Sequence, residues 1–576
     1  MTPTRPIVFA AMAAAGFGAA AAGCNLLLGS GYVVGAQDAS ATTDGPGADS
    51  TPAEVGTGDV VGAQDASATT DSRGPDSTPG DGGCATDPQD KLQFESACTN
   101  STCEPFDNAT RNTLCEGGTA CPKLAGPEGG TAETGPPEAS APEAGNSEAG
   151  AADAASAIDA GISCFGLTQG PAGGKLPSPI VYATGSTAIQ PYMGRVAQVL
   201  ESLGIGSVVY QGAGSCFGVS AMVSPGTTPL ASIASTATYY DSELDSSGAL
   251  QSGTCVIDDP AAIADLGISD VFATTCEPQL LSQGLPNNLH DFFGPVQTME
   301  MVVPASSSQT SISSEAAYMV WGFGSNSGVA PWTHAAFLLQ RSASSGTQNM
   351  IAQTIGLPAS EWAGTPNATS GAVLTAIENV DEGENTDGGP APSSYAEGTI
   401  GILASDVADP NRMYLKPLAF QDVGQACGWY PDSTQAAFDK NNVRDGHYPI
   451  WGPSHLIAYA DADGNAKTPA VATLIGAMNG QNAQVLATLD IIQFYAQSHI
   501  IPTCAMHVQR AQDGHDYQPY APPVSCSCYY DYQATGQTSC TSCKVDADCA
   551  NAPNGATTCV TNFGNPPVGF CEPPGP

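Results

Sequence analysis

From about Lys175 the chain alternates apolar runs of strand length with small-residue turns and with stretches of helical period. Pro179-Ile180-Val181-Tyr182-Ala183 reads as a strand, Gly185-Ser186-Thr187 as a turn, and Ile189 to Leu203 as a helix with apolar positions at Met193, Val196, Val199 and Leu200. Ser207-Val208-Val209-Tyr210 is the next strand, and Gly212 to Gly218 the next small-residue turn. The pattern continues through Ser232 to Ala237, a strand at Val296 to Pro304, a helix at Ser314 to Trp321 and a buried strand at Gly398 to Ala404. Helices at Thr468 to Met478 and Gln484 to Ser498 follow. Strand, glycine turn, helix and strand in repetition describe an α/β domain with a largely parallel sheet. Ligands of such sheets gather at the carboxyl ends of the strands, where these turns fall.

The first third of the chain has another texture. Arg5, an Ala-rich apolar run from Ile7 to Ala22, and Gly23-Cys24 read as an export signal, too short and small-residued for a membrane span. The small-small-Cys ending resembles a bacterial lipobox, which implies cleavage before Cys24 and lipid on its thiol. Ala21 stands where that motif prefers Leu, so an ordinary signal peptidase is the alternative. Beyond the short run Leu26-Leu27-Leu28, residues 24–83 are mostly Gly, Ala, Asp, Ser, Thr and Pro with few large apolar residues, and contain an eleven-residue tract, Val34 to Asp44, repeated identically as Val61 to Asp71. Such a segment cannot bury enough to offset its conformational entropy, so it reads as a disordered spacer, as does 125–162. Between them, in 84–124, Cys84, Cys98, Cys103, Cys115 and Cys121 suggest a small disulfide-stapled module, and Cys526 to Cys571 suggest a second in 523–576. A metal is the competing reading of both, but the spacings are irregular. Of the 19 cysteines, 18 remain after Cys24, an even number suited to pairing in an oxidising compartment.

Charge excludes one partner class and sharpens one motif. With 56 acidic against 15 basic residues the net charge is −41, which argues against nucleic acid. Only nine basic residues lie between Ile162 and Ser525, and one of them opens Arg341-Ser342-Ala343-Ser344-Ser345-Gly346-Thr347, between an apolar run and a helix beginning near Gln348. A helix start with free backbone N–H groups, two hydroxyls and a forked cation is a recipe for holding an oxyanion.

Gly185 to Pro191, Gly214-Ser215, Ala234-Ser235-Thr236, Arg341 to Thr347 and Gly398 to Gly401 fall in the order seen in the phosphate-binding periplasmic proteins of ABC transporters. Over about residues 175–520 the chain resembles that family, whose type 2 periplasmic-binding-protein fold has two α/β lobes around a ligand cleft. The resemblance implies one lobe from 163–295 and 446–522, the other from 296–445. It implies ligand contacts from Thr187, the Ala188 N–H, Ser215, the Thr236 position, Arg341, Ser345, Gly346 and Thr347, and an ABC permease as partner. Two departures stand out: the family's cleft aspartate falls on Thr236, and the aspartate that supports its arginine falls on Ala343. A cleft carboxylate accepts the proton of hydrogen phosphate and rejects sulfate, so its loss relaxes that discrimination.

The function implied is a lipid-anchored, extracytoplasmic solute-binding protein that captures phosphate or a related oxyanion in the interlobe cleft, without cofactor or chemistry. It would sit in the periplasm or at the cell surface. The alternative is a cell-surface structural or interaction protein that keeps a degenerate binding-protein fold. No nucleophile elbow, His/Glu metal box or usable spacing of the 7 histidines argues for an enzyme.

Overall fold

The computed structural model describes residues 84–112 and 162–573, apart from 86–87, 168–174, 245–249, 387–393, 483–484, 486–488, 515, 554 and 565–566. The export signal with Cys24, the repeat-bearing spacer and residues 125–161 lie outside the described residues.

The first half of the body contains β1 (Ile180–Gly185), α1 (Gln190–Ser202), β2 (Ser207–Gly212), α2 (Ser215–Val223), the hairpin β3 (Thr236–Leu244) and β4 (Leu250–Val256), and β5 (Leu266–Ser269). A sixteen-residue strand, β6 (Leu289–Pro304), leads into the second half: α3 (Ser314–Phe323), β7 (Leu338–Gln340), α4 (Gly346–Ile355), β8 (Thr365–Pro366), α5 (Ser370–Asp381), β9 (Ile400–Ala404), the single turn α6 (Ser405–Ala408) and β10 (Leu415–Pro417). The chain returns through β11 (Trp451–Tyr459), α7 (Pro469–Met478), α8 (Ile491–Gln497) and α9 (Ser527–Thr535). The helix expected over Gln484 to Ser498 is described as helix over Ile491–Gln497.

Ten strands lie in the order β8-β7-β9-β6-β11-β5-β1-β2-β3-β4, with β10 beside β6. β1 pairs in parallel with β2 and β5, and β7 in parallel with β8 and β9, so each half presents strand carboxyl ends along one edge. β6 joins the halves. Its first part runs antiparallel to β11, and Met299 to Val302 run antiparallel to β9. Successive residues of β6 enter different cores: Met301 and Val303 pack with Trp321 and Trp332, whereas Val302 packs with Leu339, Val373 and Ile377. Helices cover both faces, which explains why these strands read as unbroken apolar runs. The architecture is therefore α/β with two halves, as the resemblance implied, but the sheet is mixed and not largely parallel: the long strands β6 and β11 and the β3–β4 hairpin pair antiparallel, because the chain crosses between the halves and turns back on itself there.

The cysteine-rich ends do not stand apart from this body. Cys103 is bonded to Cys427 across 324 residues, Cys103–Glu104 pairs antiparallel with Gly428–Trp429, and Phe94 and Phe106 enter the main core. Arg111 lies 4.3 Å from the Phe106 ring and 5.1 Å from the Trp332 ring. At the other end Cys504–Cys526, Cys528–Cys540, Cys543–Cys559 and Cys549–Cys571 are disulfides. Cys543, Cys549 and Cys559 lie close enough together to suggest a metal, but each sulfur is already bonded.

A double replacement, Cys103→Ser with Cys427→Ser, releases a long loop closure and should cost about 2–4 kcal/mol. Thermal unfolding should shift down and limited proteolysis should open near residues 84–112. An unchanged melting curve and cleavage pattern would show that packing alone holds this segment.

Candidate functional site

Five chain segments bring their residues to one place: three directly follow strands and two open helices. β1 ends in Gly185, whose φ is +142° and whose position would bring a Cβ within 1.8 Å of the Ile268 carbonyl oxygen. Only glycine lets β1 and β5 meet there. Ser186 follows; its hydroxyl accepts from the Ala188 N–H at 3.1 Å and donates to Asp270 Oδ2. Asp270 directly follows β5. Its Oδ2 also accepts from Ser215 Oγ at 3.2 Å, and the Ser215 oxygen accepts the Asp270 N–H at 3.1 Å. Ser215 opens α2, so one carboxylate ties the ends of β1, β2 and β5.

The facing wall comes from the second half. Arg341 directly follows β7 and is 2% exposed. Its Nη1 donates to Ser370 Oγ at the start of α5. Nη2 donates to Thr187 Oγ1 at 3.3 Å and to the Ala368 carbonyl at 3.2 Å, and Nε to the Asn367 carbonyl at 3.4 Å. No carboxylate forms an ion pair with it among the described residues. Burial pulls its pKa down to about 10, against the opposing charges of Asp270 and Asp406. Ser345, Gly346 and Thr347 are buried at the start of α4. Ser345 supplies no side-chain cap, so the first-turn N–H groups of this ten-residue helix have neither a cap nor an intrahelical acceptor. A Cβ on Gly346 would stand 2.2 Å from Ser215 Oγ and 2.8 Å from Asp270 Oδ2. Glycine there lets the two walls close.

The two halves also meet through the Cys216 N–H, which donates to the Ser344 carbonyl at 3.1 Å. Behind Asp270, the Asp513 carboxylate accepts from the Phe272 N–H at 2.8 Å and from Thr275 Oγ1 at 2.7 Å. The Cys216–Cys276 disulfide ties α2 to the same loop. That bond holds the start of α2, and Ser215 with it, against the loop that carries Asp270.

Of the residues expected at the site, Thr187, Ala188, Ser215, Arg341, Ser345, Gly346 and Thr347 fall within this cluster. Thr236 does not. It is exposed at the start of β3, where it pairs with Val256, and the carboxylate among the seryl hydroxyls is Asp270. Ala343 carries no carboxylate and its carbonyl accepts from Asn349 Nδ2 at 2.6 Å; the charges acting on Arg341 come from Asp270 and Asp406 instead. Two acidic residues were therefore missed. The signal for Asp270 is the apolar run Leu266-Gly267-Ile268-Ser269 ending on an aspartate, a strand that delivers a carboxylate at its carboxyl end.

No protein-family model and no curated protein matches the chain. Solved structures do match over about half of it. A Clostridium perfringens protein solved with bound phosphate is 13% identical over 56% of this chain and 100% of its own, with a TM-score of 0.36. An ABC-type phosphate transport receptor from Vibrio cholerae is 14% identical over 56% of this chain and 99% of its own, with a TM-score of 0.32. A human phosphate binding apolipoprotein is 13% identical over 56% and 90%, with a TM-score of 0.36. The chain resembles these phosphate-binding proteins.

Burial pushes the Asp270 carboxyl up to about 6, although the Ser186 and Ser215 hydroxyls, His455 and Arg341 pull the other way. A carboxyl raised in the folded state holds its proton more tightly there than in the unfolded chain. The stability this confers is complete below about pH 4 and is lost as the pH rises through about 6. Asp270→Asn removes the loss. Denaturant unfolding should therefore show the variant more stable by roughly 2–3 kcal/mol at pH 7.5 and no more stable at pH 4. An equal effect at both pH values would refute this assignment.

Proposed function

We propose that the chain captures phosphate or a related tetrahedral oxyanion in the cleft between its two halves, without chemical conversion. The observation that carries this reading is Arg341: a buried guanidinium, held by hydroxyls and carbonyls, with no ion-paired carboxylate and beside an uncapped helix start. A buried charge of this kind favours a mobile counter-ion. The uncapped N–H groups of α4 and the hydroxyls of Thr187, Ser345 and Thr347 are suited to the remaining oxygens. Asp270 supplies the acceptor for a ligand O–H, which hydrogen phosphate has and sulfate lacks. The Asp270 carboxylate among the seryl hydroxyls supports a ligand-binding site over a degenerate fold.

The eight described disulfides suit an oxidising, extracytoplasmic compartment. Among the described residues no helix is long and apolar enough to cross a membrane. Lipid on Cys24 would then be the anchor, residues 24–83 the spacer, and an ABC permease the recipient of the ligand.

Calorimetric titration of the exported chain with phosphate, sulfate and arsenate tests the reading. Phosphate should saturate one site and sulfate should bind more weakly. Arg341→Ala should weaken phosphate by about 3 kcal/mol, roughly a hundredfold. Silence toward all three anions would overturn it.

A further inference from the structure

The second half of the body holds a lysine amine among three acids where solvent does not reach. The side chains of Lys440, Asp409, Asp432 and Glu300 are all fully buried. Lys440 Nζ stands 2.6 Å from Asp409 Oδ2, 3.0 Å from each carboxyl oxygen of Asp432 and 3.9 Å from Glu300 Oε1. Attraction alone is a weak reason to build such a cluster, because desolvation offsets much of what a buried ion pair gains. The backbone is also strained to place the amine. Lys440 is left-handed, with φ at +50°, a conformation that residues with long side chains seldom adopt and that gathers at functional sites. Glu300, on β6, has no hydrogen-bond partner for either carboxyl oxygen.

These contacts are the ones an amide-forming reaction needs. An Nζ equidistant from the two oxygens of Asp432 stands opposite its Cγ, within the separation of about 3–3.5 Å from which a nucleophile attacks. Two donors polarise that carboxyl: the Lys440 N–H on Oδ1 at 2.7 Å and Arg412 Nη2 on Oδ2 at 2.6 Å. Asp409, the acid nearest the amine, lies in the turn after α6 and is the group placed to take its proton. Burial favours the free amine, but the acids keep Lys440 protonated at rest, so the nucleophile has to form by proton transfer inside the cluster. The balance of charge favours the product. Joining Lys440 to Asp432 removes one buried cation and one buried anion and leaves Arg412 paired with Asp409.

We propose that Lys440 and Asp432 are a site of covalent self-modification, in which the folded chain joins Nζ to Cγ as an intramolecular isopeptide bond. Nζ passes a proton to Asp409, and its lone pair attacks Cγ of Asp432. The C–N bond forms as one C–O bond breaks, and the electron pair of that bond leaves with the oxygen. The departing oxygen takes up the proton held by Asp409 and a second proton shed by Nζ, and leaves as water. Ammonium and carboxylate become a neutral amide, Asp409 is restored, and nothing is oxidised or reduced. The bond closes the turn 432–440 beside the strand that joins the two halves, and it does not depend on the oxyanion reading.

Peptide mapping by mass spectrometry tests this on the purified full chain, reduced, alkylated, denatured and digested with trypsin. Trypsin does not cut after an acylated lysine, and Lys416 is followed by proline. The wild type should therefore yield one peptide covering 413–444, uncut after Lys440 and lighter than its sequence by one water. Asp432→Ala should restore cleavage after Lys440 and the full mass. Separate peptides 413–440 and 441–444 of ordinary mass from the wild type would overturn the proposal. So would a branched product that joins Lys440 to the peptide ending at Arg412, because that would put the amide on Asp409. The wild-type masses decide the matter whether or not the variant folds.

Discussion

A guanidinium taken out of water has to be compensated, and the way this protein compensates Arg341 organises the rest of its cleft. Its charge is met by the oxygens of Thr187, Asn367, Ala368 and Ser370, all neutral, while the two carboxylates that feel it stand off without ion-pairing. Dipoles of this kind hold the cation in place but do not neutralise it. The site is thus left with a standing preference for an anion, reinforced by the free N–H groups at the start of α4. Asp270 balances this preference. It binds the first half of the site together through Ser186 and Ser215 at an energetic cost of burial that appears as its raised affinity for a proton.

Rigidity around these groups comes from elsewhere. In the first half, Cys216–Cys276 and the contacts of Asp513 fix the loop that carries Asp270. In the second, a largely buried cluster serves: Lys440 Nζ lies 2.6 Å from Asp409 and 3.0 Å from Asp432, and Arg412 pairs with both acids. Clusters of this sort contribute little net stability, since desolvation offsets attraction, but they specify one arrangement. Here that arrangement fixes the turn after α6 and, with it, Asp406.

Much of this was legible in the chain itself. Apolar runs bounded by glycine turns marked β1, α1, β2, β6 and β9, because strands buried on both faces must be apolar at every position. The Arg341 to Thr347 turn was legible because a helix start, a cation and hydroxyls in seven residues make a local pattern. Asp270 was not. The hairpin of β3 and β4 separates it from Ser215, so the third turn in sequence order, at Thr236, is not the third strand end in space. Asp406 was hidden for a similar reason: its link to Arg341 is the parallel register of β7 and β9, which no local spacing encodes. The packing of residues 84–112 on the body depends on a disulfide partner more than three hundred residues away, and cysteine counts do not reveal pairing.

The proposed oxyanion is held where the ends of β1, β5 and β7 face the start of α4. Hydrogen exchange read by mass spectrometry, with and without saturating phosphate, addresses it directly. Phosphate should slow exchange in peptides covering Ser186 to Ile189 and Ser345 to Gln348, and leave α9 and the C-terminal disulfides unchanged. Saturable binding accompanied by protection elsewhere, with the start of α4 exchanging as before, would contradict the account.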